Sequence, residues 1–88
     1  MEFAKSLSGH DKNQYYLVLE KEAEFFLLVN GTNRTLDKPK KKNAKHVQII
    51  KKLPEAIEEI LATEQSNLTI KKAIKEYEKL VNDNQEVN

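Results

Sequence analysis

A chain of 88 residues holds one domain with a modest core, too small for a deep catalytic cleft plus its scaffold, and clustered apolar residues at 39% of the total mark a chain that folds. The absence of cysteine excludes disulfides, thiolate nucleophiles and zinc sites of the Cys type, and fits a reducing cytosol. The net charge of +1 hides a segregation: between Arg34 and Lys52, the bases Arg34, Lys38, Lys40, Lys41, Lys42, Lys45, Lys51 and Lys52 are opposed only by Asp37, so the flanking segments are acidic, the charge footprint of a domain that meets a polyanion.

The first half reads as short β-strands between turn residues, with apolar β-formers grouped at Phe3–Ser8, Tyr15–Glu20, Phe25–Val29, Arg34–Leu36 and His46–Ile50. Asn30-Gly31 is the strongest local turn, since both residues accept positive φ. Five such strands in sequence predict an antiparallel meander that buries its apolar faces by curling into a small barrel or a sharply bent sheet. Ala44, Val47, Ile50 and Leu53 also satisfy helical spacing, but the alternation of Val47 and Ile49 with His46 and Gln48 favours a strand there. The barrel is expected to occupy residues 1–52.

After Lys52 the period lengthens to 3.6. Leu53, Ile57, Ile60 and Leu61 form one stripe, Pro54 suits a first helical turn, and Glu55, Glu58 and Glu59 favour the positive end of the helix dipole, predicting a helix over Pro54–Thr63. Ser66 or Asn67 can cap a second helix whose apolar face is Ile70, Ala73, Ile74, Tyr77, Leu80 and Val81. These two amphipathic helices make an extension over residues 53–82, followed by a polar tail, 83–88, expected to fray. The longest apolar run, Phe25 to Val29, is too short to span a bilayer, and Met1 to Lys5 has no signal-peptide character, so no membrane partner and a cytoplasmic location are expected.

Gly9-His10-Asp11-Lys12-Asn13 followed by Tyr15-Tyr16-Leu17-Val18 resembles a KOW motif, with Asn13, which tolerates the left-handed conformation, where the motif has its second glycine. Asn30-Gly31, Arg34, Leu36, Pro39-Lys40-Lys41-Lys42-Asn43 and Lys45-His46-Val47 extend the likeness to small bacterial KOW proteins that resemble large-subunit ribosomal proteins of archaea and eukaryotes. The resemblance implies an α+β chain, a five-stranded SH3-like translation-protein barrel with two C-terminal helices, that binds RNA or the ribosome.

The chemistry of the residues points the same way. Lysines supply sequence-independent attraction to phosphate, which assigns Lys40, Lys41, Lys42 and Lys45 to that role. Arg34 suits bidentate contact or stacking, or else pairs with Asp37. His10, Lys12 and Asn13 on the loop can reach phosphate or the 2′-hydroxyl, and Tyr15 is a candidate base platform. In each of the pairs Tyr15-Tyr16 and Phe25-Phe26, alternation sends one ring to each side of a strand, so core packing competes with stacking. His10 beside Asp11 lacks a nucleophile to activate, and His10 and His46 lack partners for a metal, so neither an enzyme nor a cofactor is expected. Glu55, Glu58, Glu59, Glu76 and Glu78 can dock the helices or face a basic ribosomal protein, which leaves a protein adapter without RNA contact as the alternative. The sequence carries no sign of oligomeric state.

Overall fold

The computed structural model describes residues 1–86, with side chains through residue 82. Its order is β1 (Phe3–Ser6), β2 (Tyr15–Lys21), β3 (Phe25–Val29), β4 (Lys40–Asn43), a 3-10 turn (Ala44–His46), β5 (Val47–Ile50), α1 (Glu55–Thr63) and α2 (Asn67–Glu86). The strands form one antiparallel sheet in the order β4-β3-β2-β1-β5, followed by the two helices.

This sheet must curl. Laid flat, its edge strands β4 and β5 would lie about 19 Å apart at the usual strand spacing, yet they are joined by the single turn Ala44–His46, a link that spans at most about 14 Å. A bulge helps the bend: Val18 opposes Leu28 and Glu20 opposes Leu27, which leaves Leu19 as the extra residue on β2. The ladder between β4 and β5 is not closed by hydrogen bonds.

Alternation gives the sheet two apolar faces and two cores. Val29, Leu17, Phe3 and Ile50 stand directly opposite one another across β3, β2, β1 and β5. Their row meets Leu53, Ile57 and Leu61, then Ile70, Ala73 and Ile74 of α2, with Tyr77 edge-on to Phe3 at 5.4 Å. The opposite, inward face carries Ala4, Tyr16, Leu28 and Val47, packed against Val18, Phe26 and Ile49. Both helices therefore cover the sheet's outer face, and burying two apolar faces is what allows so short a meander to hold together.

Several assignments depart from the sequence reading, beginning with the first strand, which ends at Ser6 rather than Ser8. Arg34–Leu36 is not a strand: it lies in the long connection from β3 to β4, and the fourth strand is the lysine run Lys40–Asn43 itself. Asn30 does not take positive φ; Gly31 alone does, at +79°. Asn30 instead holds the connection with its side chain, Oδ1 accepting from the Thr32 and Arg34 amides at 3.0 Å each. Residues 44–46 are neither strand nor α-helix but the 3-10 turn, closed by Asn43 Oδ1 accepting from Lys45 N at 2.9 Å.

The helix ends follow their caps. Pro54 precedes α1, its carbonyl accepting from Ile57 N at 3.0 Å. Ser66 is the cap of α2: its Oγ accepts from Thr69 N at 3.2 Å while Thr69 Oγ1 accepts from Ser66 N at 2.9 Å. Asn67 is thereby free for another task, its Oδ1 accepting from Leu36 N at 2.9 Å and fastening the β3–β4 connection to the helix. The helical backbone continues to Glu86, into the segment expected to fray; residues 87–88 lie outside the described part.

Candidate functional site

The β1–β2 loop begins with Gly9 at φ +88° and ends with Asn13 at φ +73°, the left-handed conformation expected of that asparagine. Between them Asp11 turns inward and is only 8% exposed. A carboxylate at such a depth needs donors, and four converge on it. Ser6 Oγ donates at 2.9 Å, Tyr16 OH at 2.6 Å, Lys42 Nζ at 3.0 Å, and Lys40 Nζ lies 3.0 Å from the other oxygen. Burial alone would raise the Asp11 pKa, but the hydrogen bonds from Tyr16, Lys40, Lys42 and Ser6 outweigh it and hold the carboxyl well below the usual carboxylate range.

The partners explain why a lysine run can be a strand. Lys40 and Lys42 alternate with Lys41, so they share the inward face with their cross-strand neighbours Leu28 and Phe26. There they would be uncompensated charges without Asp11. Lys42 also donates to the Ser8 carbonyl at 3.0 Å, which ties the loop to β4 a second time. On the other side Leu7 N donates to the His46 carbonyl at 2.8 Å, so the loop is pinned between β4 and the start of β5.

Tyr16 registers the same cluster. Burial, then the hydrogen bond and charge of Asp11, push its hydroxyl pKa up, while the positive charge of Arg34 acts in the opposite direction. Arg34 itself stands on the β3–β4 connection and forms no salt bridge among the described residues. Asp37, the alternative partner, accepts instead from Thr35 Oγ1 at 2.7 Å. One carboxylate thus faces two cations, Lys40 and Lys42, and an excess of positive charge remains at a fixed place.

The structure brings together some of the residues singled out from sequence and separates others. His10, Lys12 and Asn13 are exposed on the loop, and Lys45 is exposed on the adjoining turn. Lys40 keeps a quarter of its side chain in solvent, whereas Lys42, at 11%, is a largely covered tether. Lys41 leaves the group: it sits on the opposite face of β4, its ammonium 4.0 Å from the Phe25 ring centre. Tyr15 is half-buried against Tyr77, edge-on at 5.2 Å, with Lys5 Nζ 5.8 Å from its ring centre. Its partner in sequence, Tyr16, is the core ring of the pair.

Sequence reasoning missed Asp11, which it took for a turn residue, and with it Ser6 and Tyr16. The one available signal was an acid in the glycine loop of a chain whose basic run from Arg34 to Lys52 holds no acid but Asp37. Among the described residues no three His, Cys, Asp or Glu side chains gather as metal ligands would, and no helix is long and apolar enough to cross a membrane. In comparison with known proteins, the chain matches no family model and no curated protein.

Proposed function

We propose that the chain is a KOW-type, SH3-like domain that binds RNA without catalysing a reaction, and that it associates with ribosomal RNA or the ribosome in the cytoplasm. The observation that carries this reading is the joining of the Gly9–Asn13 loop to the lysine strand through Asp11, although Lys42 and Asp11 are 31 residues apart in sequence. The result is a cationic rim on a rigid backbone, where charges need little reordering to meet phosphates. The curled five-strand sheet, with β5 returning to β1, is compatible with a small barrel of this kind.

In this reading Lys12, Lys40 and Lys45 contact phosphates, Arg34 adds a directional fork, and His10 and Asn13 lie within reach of a phosphate or a 2′-hydroxyl. Lys42 positions the loop, and Lys41 adds charge from the far face. Three or four phosphate contacts to single-stranded RNA give a log–log salt slope of about −2 to −3. Titration of labelled RNA with the purified protein should show a slope at least that steep, and Lys12→Gln with Lys45→Gln should weaken binding about 25-fold near 0.1 M salt, since each contact contributes about fivefold there. Salt-independent binding, or no loss in the double variant, overturns the assignment.

A second reading has one observation in its favour. Glu55, Glu58 and Glu59 are exposed on α1 and form no salt bridge among the described residues. As an adapter, the domain would present them to a basic protein. Association with ribosomal particles that survives nuclease treatment and is lost on Glu58→Lys with Glu59→Lys would favour this reading.

A further inference from the structure

Helix α2 was expected to contribute an acidic surface, yet its exposed side near the sheet is basic. Lys71 and Lys75, one helical turn apart, line an open cavity of about 290 Å³ together with Gln14, Asn30 and Thr32. It meets a second cavity, of about 470 Å³, lined by Lys5 and Asn13. Tyr15 and Glu78 belong to both, so the two form one groove between α2 and the start of β2. Three lysines face a single acid there, and none of the three forms an ion pair within 4.0 Å among the described residues.

Two features make this more than scattered surface charge. Lysines at i and i+4 repel and weaken a helix, a cost that a bound polyanion removes. The far wall is also seated tightly beside the helix: Gly31, between the lining residues Asn30 and Thr32, packs so closely on the start of α2 that a Cβ there would lie 2.8 Å from Lys71 N. Asn13, at the end of the groove, belongs to the same loop as Asp11 and Lys12, so the groove begins where the cationic rim ends.

We infer that the groove between α2 and β2 takes a single strand of RNA, continuing from the rim around Asp11, with Lys5, Lys71 and Lys75 on successive phosphates and Tyr15 on the floor beneath the bases. This rests on the RNA-binding reading and adds a second, helix-borne half to the footprint. The groove is open to solvent, which suits a flexible strand threaded past an aromatic edge.

The test uses the full chain and a labelled uridine dodecamer. Lys71→Gln with Lys75→Gln is expected to weaken binding about 25-fold near 0.1 M salt and to make the salt slope shallower by about 1.4. Lys51→Gln with Lys52→Gln removes the same charge away from the groove and is expected to leave affinity within about twofold, the residual long-range effect expected of screened surface charge. Thermal melts of the groove variant should be unchanged or higher, because the lysine repulsion is relieved; a merely structural role would lower them. If the wild-type chain binds but the two double variants behave alike, the groove assignment is overturned and the rim stands. If the wild-type chain does not bind the dodecamer or other RNA at all, both readings fall.

Discussion

Replacing Asp11 by alanine is expected to destabilise the fold by about 3 kcal/mol, the scale measured when one partner of a buried ion pair is removed. Four groups lose a partner at once: the Tyr16 and Ser6 hydroxyls and the Lys40 and Lys42 ammoniums, the last with only 11% of its side chain exposed. For a domain of this size that corresponds to a fall in melting temperature of about 15 °C. Asp11→Asn should lose nearly as much. Asp11→Asn combined with Lys42→Met should recover part of the loss, because both charges are then gone. Urea denaturation of the four proteins checks this, and equal stability of Asp11→Ala and wild type would remove Asp11 as the organiser of the loop.

Acid should reproduce the substitution. The folded Asp11 carboxyl titrates far below its unfolded value of about 3.9. Its contribution is therefore complete above about pH 5 and drains away as pH falls toward the folded value. Stability of the wild type should decline over that range, and Asp11→Asn should show a much flatter profile, with the residue of the slope belonging to Glu2, held low by its bond to Lys21, and Asp37, held low by its bond from Thr35. At the alkaline end the sign reverses. Tyr16 is raised in the folded state, so its share is present below about pH 10 and lost above it.

Gly31→Ala carries the second large effect, again about 3 kcal/mol. A left-handed alanine costs about 1 kcal/mol, and the remainder comes from contact. At φ +79° the new methyl would strike the Asn67 carbonyl oxygen and sit 2.8 Å from Lys71 N, backbone atoms that cannot step aside. The β3–β4 connection would have to leave the helix and forfeit the bond from Leu36 N to Asn67. Gly9→Ala is the control. Its φ is equally left-handed, but the nearest atoms, Asp11 Oδ1 at 3.5 Å and Lys42 Nζ at 3.7 Å, leave room, so only the conformational cost of about 1 kcal/mol is expected. Comparable losses in the two variants would mean that the connection is not seated on α2 as described.

Strands with apolar alternation were legible in the sequence because their own residues specify them. Phe25–Val29 lies where its five apolar residues place it, and β2 differs from expectation by a single residue. The fourth strand was not legible, because Lys40–Asn43 contains nothing apolar. It is a strand because β3 offers an edge and because Asp11 neutralises the charges it turns inward, and both causes lie far away in sequence. Arg34–Leu36 misled for the converse reason: its composition allows a strand, but the Asn30 side chain captures the local amides first. The basic stretch was visible as charge, whereas the split between inward Lys40 and Lys42 and outward Lys41 required the register. The lysines of α2 were read as part of an amphipathic helix, and only the packing of the helix beside Tyr15 gives them a location.

The position of Phe3 bears on how the chain acquires its structure. It pairs with Leu17 within a hairpin, but its other neighbour is Ile50 and its ring meets Tyr77. As the chain emerges from the N-terminus, this ring has no complete shelter until the second helix has been made, and the inner core likewise waits for Val47. Contacts of such long sequence separation slow folding and favour an all-or-none event. A synthesis-arrested chain ending near Asn43 should thus be protease-sensitive throughout, with its loop lysines drawn in the right order and no rim yet to hold them.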